Sequence, residues 1–243
     1  MPKRKAPKVS ETPKGGTITT LEVQKRNKQR VNVYIDDVYS FSLALDEAAL
    51  LRRGQQLSTA EIEALKDRDA LHHAVDLSAK FLGLRPRSEA EVRRKLTEKE
   101  MPQDLIERAL EKLREMGYVD DLSFAKFWIQ ERSNFKPTGP RALRYELQQK
   151  GVARNIIDEV LAEGDADDDA YRAALSQSRK LRRLTKREFQ DKMLAFLQRR
   201  GFSFSTAKSA VQRLIEEIET PEDENAVPAD FFAPETHKGS DWE

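Results

Sequence analysis

The sequence has no cysteine. That removes a disulfide framework, a thiolate nucleophile and every zinc site built on sulfur ligands, and it fits a reducing compartment. Histidine is nearly as scarce, at three in 243 residues. His72 and His73 are neighbours, and adjacent side chains on a helix point about 100° apart, so the two cannot grip one metal ion. No run approaches the roughly 18 apolar residues of a membrane span, and the opening MPKRKAPKVSETPKGG lacks the apolar stretch of a signal peptide. No G-x-x-x-x-G-K-[ST] or G-x-G-x-x-G occurs, so no phosphate-cradling loop is present. A cytoplasmic, non-enzymatic protein without metal or cofactor is the expectation.

Charge, by contrast, is plentiful. Charged residues make up 35% of the chain and hydrophobic ones 38%, a ratio that suits small helical units better than one thick core. The net charge of +1 hides an uneven distribution. Residues 1–16, with Lys3, Arg4, Lys5, Lys8 and Lys14, form a basic arm without apolar period, expected to be disordered. Residues 221–243, with Glu222, Asp223, Glu224, Asp230, Glu235, Asp241 and Glu243, form an acidic tail expected to be disordered too.

Between these ends the pattern changes twice. From Ile18 to Leu45 apolar residues alternate through Val31, Val33 and Ile35, then Phe41 and Leu43, with turn residues at Arg26-Asn27-Lys28 and Asp36-Asp37; this predicts a small antiparallel meander. Ser58 and Glu61 then offer a capping box for a helix through Ile62 and Leu65. Meander and short helix together span residues 17–69.

The remainder reads helical and repeats at a step of 50 or 51 residues. Val92, Leu96, Met101, Leu105, Ile106 and Ala109 match Leu143, Leu147, Val152, Ile156, Ile157 and Val160, and then Met193, Leu197, Phe202, Thr206, Ala207 and Ala210. Each copy is a helix, a tight turn and a second helix, preceded by another amphipathic segment. Three-helix repeats are expected over 70–118, 119–164 and 165–220, stacked because one unit alone cannot bury its apolar faces. Ser88 with Glu91 and Thr185 with Glu188 are further capping boxes, and Glu163–Asp169 is an acidic hinge between copies two and three.

Several clusters invite chemistry. Asp120 and Asp121 are better read as cap and dipole partners of the helix after them than as an acid-base pair, and Gly117 as the left-handed stop of the helix before. Asp165, Asp167 and Asp169 have the opening spacing of a calcium loop, but Ala170 and Ser176 stand where its glycine and glutamate belong. Phe124, Phe127 and Trp128 could stack bases, though a shared helical face favours core packing. Basic residues are the remaining candidates: Arg93 and Arg94; Arg141, Arg144, Lys150 and Arg154; and Arg179, Lys180, Arg182, Arg183, Lys186, Arg187, Arg199 and Arg200. They suit either DNA phosphates or acidic patches on a protein partner. Arg93 and Arg144 share register, yet copy three has Leu194 there.

RPRSEAEVRRKL (Arg85–Leu96), LREMGYVDDLSFAKFWIQER (Leu113–Arg132) and GPRALRYELQQKGV (Gly139–Val152) resemble the RecX regulatory proteins, and FLQRRGFSFSTAKSAVQRL (Phe196–Leu214) resembles that family's last repeat. Ile18–Leu43 looks like the extra amino-terminal part of its longer members. In this reading Gly117, Tyr118, Asp120, Asp121, Phe124 and Trp128 form a structural joint. The resemblance implies a mainly α protein of three tandem three-helix repeats in an elongated, curved body preceded by a small antiparallel β meander. It also implies a monomer that inserts into the groove of RecA filaments on single-stranded DNA and curbs ATP turnover, strand exchange and coprotease action, as part of DNA repair, recombination and the SOS response. The rival reading is a stand-alone nucleic-acid-binding helical-repeat protein. A further expectation is that Phe231, Phe232 and Trp242 fold the acidic tail over the basic surface in competition with DNA.

Overall fold

The structure is a computed structural model that describes residues 15–220 and 231–233. Residues 1–14 of the basic arm, and the acidic tail apart from 231–233, Trp242 included, lie outside the described residues.

The sheet comprises β1 (Gly16–Val23), β2 (Arg30–Ile35), β3 (Val38–Ala44) and β4 (Gln56–Leu57), antiparallel in the order β3-β2-β1-β4. Alternation along β2 sends Val31, Val33 and Ile35 to one face, where they meet Ile18, Phe41 and Leu43. Asp36 and Asp37 both adopt positive φ (49° and 63°), which lets a two-residue reversal match the twist of β2 and β3. Three strands follow the predicted meander. β4 was not expected, since two residues carry no readable alternation, and β1 begins at Gly16, inside the stretch assigned to the arm.

A short helix, α1 (Leu45–Ala48), leads to α2 (Thr59–Leu82), which the Ser58–Glu61 capping box starts: the Ser58 amide donates to Glu61 Oε2 at 2.8 Å and the Glu61 amide to Ser58 Oγ at 3.3 Å. α2 is unbroken for 24 residues, so the boundary expected at 69/70 falls inside a helix. Its period persists because it serves two cores. Ile62 and Leu65 close the sheet, whereas Ala74, with Leu71, Val75 and Phe81, faces the next helices.

Module one combines that half of α2 with α3 (Glu89–Thr97) and α4 (Gln103–Glu115), burying Val92, Leu96, Ile106, Ala109, Leu110 and Leu113. Module two is α5 (Asp121–Phe135), α6 (Pro140–Gln149) and α7 (Arg154–Ala162), around Phe124, Leu147, Ile157 and Val160. Module three is α8 (Ala166–Ser178), a 3₁₀ turn at Arg179–Leu181, α9 (Lys186–Arg199) and α10 (Phe204–Glu219), around Ala173, Phe189, Met193, Leu197 and Leu214. The described chain divides into two compact units, residues 15–85 with 92–119, and residues 86–91 with 120–220 and 231–233.

Within the second unit the same joint occurs twice. Ser88 Oγ donates to the Lys150 carbonyl at 2.5 Å, and one module later the Gly139 amide donates to the Arg200 carbonyl at 2.9 Å. Ser88 matches Gly139 in the repeat, and Lys150 matches Arg200. Gly151 and Gly201 follow those carbonyls at φ 80° and 89°, with the methyls of Ala90 and Ala142 where a Cβ would stand. Glu100 occupies the equivalent position in module one, also at positive φ (57°).

Phe231–Ala233 departs from the expected plain tail. Phe231 is buried, and its ring and that of Phe232 pack edge-on against Phe189. The segment packs on an aromatic corner of module three, next to Arg183, whose amide donates to the Phe231 carbonyl at 2.9 Å.

Candidate basic binding surface

The joint motif resolves into caps. Asp120 is the N-cap of α5 and accepts from the Leu122 amide at 2.9 Å and from Ser123 Oγ at 2.7 Å. Those hydrogen bonds hold its carboxyl below the usual carboxylate range. Asp121 instead reaches back to the Glu89 amide at 2.8 Å, capping α3 from another helix. Burial pushes its carboxyl up, only partly offset by that hydrogen bond. Gly117 ends α4 at φ 70°, and the Tyr118 amide donates to the Leu113 carbonyl at 2.9 Å. The Tyr118 side chain is exposed.

The aromatic group is split. Phe124 is buried in module two, Trp128 is half-buried, and Phe127 is exposed rather than packed in a core. Trp128 donates from Nε1 to Glu146 Oε2 at 2.8 Å and carries the cations of Arg132 and Lys150 over its ring, at 4.7 and 5.0 Å from the centroid. With Lys150 also bonded to Glu91 at 3.1 Å, the indole is bound into a network of charged side chains at the joint.

Asp165 caps α8, accepting from the amides of Asp167 and Asp168 at 3.1 and 3.0 Å. Asp169 accepts from Ser133 Oγ at 2.6 Å and Arg172 at 3.1 Å. The acidic segment is thus spent on a helix start and a polar contact with α5. Among the described residues no group of three or more His, Cys, Asp or Glu side chains could hold a metal ion.

The basic candidates fall into two classes. Arg93 is bonded to Glu107 through both terminal nitrogens, and Arg144 to Asp158. Glu107 and Asp158 are themselves in matching register, so one ion pair joins the two turn-flanking helices in modules one and two; Arg93 holds the Glu107 carboxyl below its usual range. Lys186 pairs with Glu219 at 2.6 Å and Arg154 approaches Asp158 at 3.8 Å. Arg200 lies over Phe196 and donates to the Pro137 carbonyl at 3.3 Å, and burial lowers its pKa. Apart from Arg154, whose side chain is 84% exposed, these side chains are engaged within the fold.

The second class is exposed and has no acidic partner among the described residues: Arg94 on α3, Arg141 on α6, and Arg179, Lys180, Arg183, Arg187 and Arg199 in module three. Arg182 is also exposed. Arg183 sits at φ 69°, its amide fixed by the Phe231 carbonyl at 2.9 Å, which pins the turn before α9. Among these candidates the unpaired cations are therefore concentrated at the start of α9, and are sparse in modules one and two.

Comparison with known proteins gives this arrangement a family. The chain matches the regulatory protein RecX N-terminal domain over residues 16–52, and the first and second three-helix domains of RecX over 74–113 and 120–161. It is 34% identical over 209 residues to the regulatory protein RecX of Listeria monocytogenes, covering 83% of this chain and 77% of that one. The chain belongs to the RecX family. The regulatory protein RecX of Bacillus pumilus is 33% identical over 216 residues, 86% of this chain and 82% of its own. A crystal structure of a regulatory protein RecX superposes with a TM-score of 0.64 at 29% identity, covering 83% of this chain and 98% of the other. RecX from Lactobacillus salivarius, at 21% identity and TM-score 0.57, shares the fold.

Two features of this RecX-family chain escape a reading of the sequence alone. Tyr145 is 63% exposed one helical turn after Arg141, and Phe135 is 80% exposed at the end of α5. Arg132 and Glu146, which fix Trp128, carry no local sequence signal, because their partnership needs two helices brought together across 14 residues. The spacing of Arg141 and Tyr145 at i and i+4 was the one available signal. No helix among the described residues is long and apolar enough to cross a membrane.

Proposed function

We propose that this chain is a regulator, chiefly a negative one, of a RecA recombinase, and that it acts by binding in the groove of RecA filaments on single-stranded DNA. Stacked modules bridge successive protomers and impede the rearrangements on which ATP turnover, strand exchange and coprotease action depend. Regulation by binding, as a monomer in the cytoplasm, needs no catalytic group. The observation that carries the reading is membership of a family whose relatives are named regulatory proteins, joined to the unpaired cations at the start of α9.

RecA-dependent ATP hydrolysis on single-stranded DNA, titrated with this protein, tests it. Turnover is expected to fall with increasing protein, and less so for Arg179→Gln, Lys180→Gln, Arg183→Gln and Arg187→Gln combined. Unchanged turnover with the folded wild-type chain overturns the reading.

A second reading, a nucleic-acid-binding helical-repeat protein with no recombinase partner, is favoured by one observation. Tyr145 stands exposed a turn from the unpaired Arg141, the pairing of ring and cation that suits unstacked bases. Affinity for a single-stranded oligonucleotide without RecA, lost on Tyr145→Ala, supports it; affinity that appears only with RecA excludes it.

A further inference from the structure

A stack of repeats has two ends, and the end at module three is closed in an unusual way. At each inner joint a group at the start of one module's turn-preceding helix, the Ser88 hydroxyl or the Gly139 amide, donates to the carbonyl that precedes a left-handed glycine of the following module. Ser88 meets Lys150, and Gly139 meets Arg200. The third residue in that register is Phe189. Among the described residues no helix follows α10, and α9 begins one turn earlier than α6, at Lys186.

Phe189 is nonetheless fully buried. The rings of Phe231 and Phe232 stand 5.6 and 5.3 Å from its own, edge to face, and 5.1 Å from each other. Two backbone hydrogen bonds fix the segment as an extended rung. The Arg183 amide donates to the Phe231 carbonyl at 2.9 Å, and the Ala233 amide to the Leu184 carbonyl at 3.0 Å. Arg183 and Leu184 immediately precede the Thr185 cap of α9, so the rung lies beside the start of that helix. A start of helix that would otherwise await a neighbour's turn receives a neighbour's carbonyl from the chain's own carboxy-terminal segment.

We propose that the seat around Phe189, Arg183 and Leu184 is a recognition slot for an extended segment bearing two adjacent aromatic side chains, and that Phe231–Ala233 fills it in cis in place of a fourth module. The ligand class is an extended peptide with paired aromatics, held by main-chain hydrogen bonds along one edge and by a three-ring cluster along the other. The slot stands apart from the recombinase reading, since it uses none of the exposed cations' side chains. It also accounts for the burial of Phe189 at the start of the last described module, in keeping with the capping that repeat arrays require of terminal units.

A labelled peptide covering residues 229–235 (ADFFAPE) is titrated against the full-length chain and against full-length Phe231→Ala/Phe232→Ala, read by fluorescence anisotropy. The double variant, its slot vacated, is expected to bind at least tenfold more tightly than the wild type, whose slot is filled. A peptide with both phenylalanines replaced by alanine should bind neither. Amide exchange at Arg183 should quicken in the variant and slow again on adding the peptide. Equal binding to both chains, or binding to neither with the variant folded, overturns the proposal. Should the double variant fail to fold, Ala233→Pro serves instead. It removes the N–H bonded to Leu184 while keeping both aromatic rings, and should give the same order of affinities; equal affinities there refute the slot as well.

Discussion

Gly139→Ala probes the joint between modules two and three without touching a charge. Gly139 has φ −72°, so alanine is at ease with the backbone and even restricts the unfolded chain, a gain of about 0.4–1 kcal/mol. Against that stands contact. A Cβ there would lie 2.3 Å from Gly201 C and Phe202 N and 2.4 Å from Gly201 O, all backbone atoms that cannot rotate aside. Relief requires the two turns to part by about 1 Å to reach ordinary van der Waals separation. Parting stretches two hydrogen bonds, Gly139 N to Arg200 O at 2.9 Å and Arg141 N to Gly201 O at 3.2 Å, worth about 1 kcal/mol each. Overpacking adds about 1–3 kcal/mol, for a net loss of roughly 2–4 kcal/mol after the unfolded-state gain. Gly117→Ala is the matched control. Its φ of 70° strains alanine, but nothing lies within 4 Å of the added carbon, so the cost is only the left-handed penalty of about 1–2 kcal/mol. Urea denaturation of the full chain, with amide exchange at Arg141, measures both. Should Gly139→Ala prove no costlier than Gly117→Ala, or the Arg141 amide stay protected, the joint does not hold the two modules together as described.

Neutralising Arg179, Lys180, Arg183 and Arg187 together should weaken binding to single-stranded DNA, and flatten its salt dependence by roughly 0.7 in log-log slope for each phosphate no longer neutralised; an unchanged slope would exonerate the start of α9. Arg93→Gln and Arg144→Gln should leave that binding unaltered, and double-mutant cycles with Glu107→Gln and Asp158→Asn should return about 0.2–1 kcal/mol per pair, as exposed ion pairs do. Asp121→Ala opens the Glu89 amide and should cost about 1–3 kcal/mol, whereas Asp121→Asn keeps an acceptor and should cost less; equal losses would mean the cap is immaterial. Glu61, Asp120 and Glu188 have lowered carboxyl pKa values through their capping hydrogen bonds. Their contribution is complete above the unfolded values near 4 and is lost as pH falls through the folded ones, so the urea midpoint should drop as pH falls below about 4. Asp121, raised by burial, acts in the opposite sense and relaxes as it gains its proton at somewhat higher pH. A midpoint flat across that range contradicts the capping account.

Periodicity made the helices, the three-copy repeat and the meander legible, because apolar spacing is imposed locally by the face each element buries. The capping boxes at Ser58, Ser88 and Thr185 were readable for the same reason, since both partners lie within four residues. What was not legible depends on distant partners. Nothing near Arg93 or Arg144 in sequence reveals that Glu107 and Asp158 stand opposite, so half-engaged arginines looked like free ones. The start of α2 at Thr59 was readable, but not its continuity past Ala70, because one helix changes partners midway and its apolar stripe turns with them. Phe231 and Phe232 sit in a polar, proline-containing stretch, and only the third module's aromatic corner explains their burial.

The double service of α2 has a mechanical consequence. A helix of 24 residues is a rod of roughly 36 Å, clamped to the sheet through Asp69, which binds Arg30 and the Ala44 amide, each at 2.7 Å. Torque applied to the strands must therefore reach α4, and the two cores along the rod should melt in a single transition. An excised fragment of module one that begins at residue 70 would sever this axle, whereas one that begins at residue 58 would keep it whole.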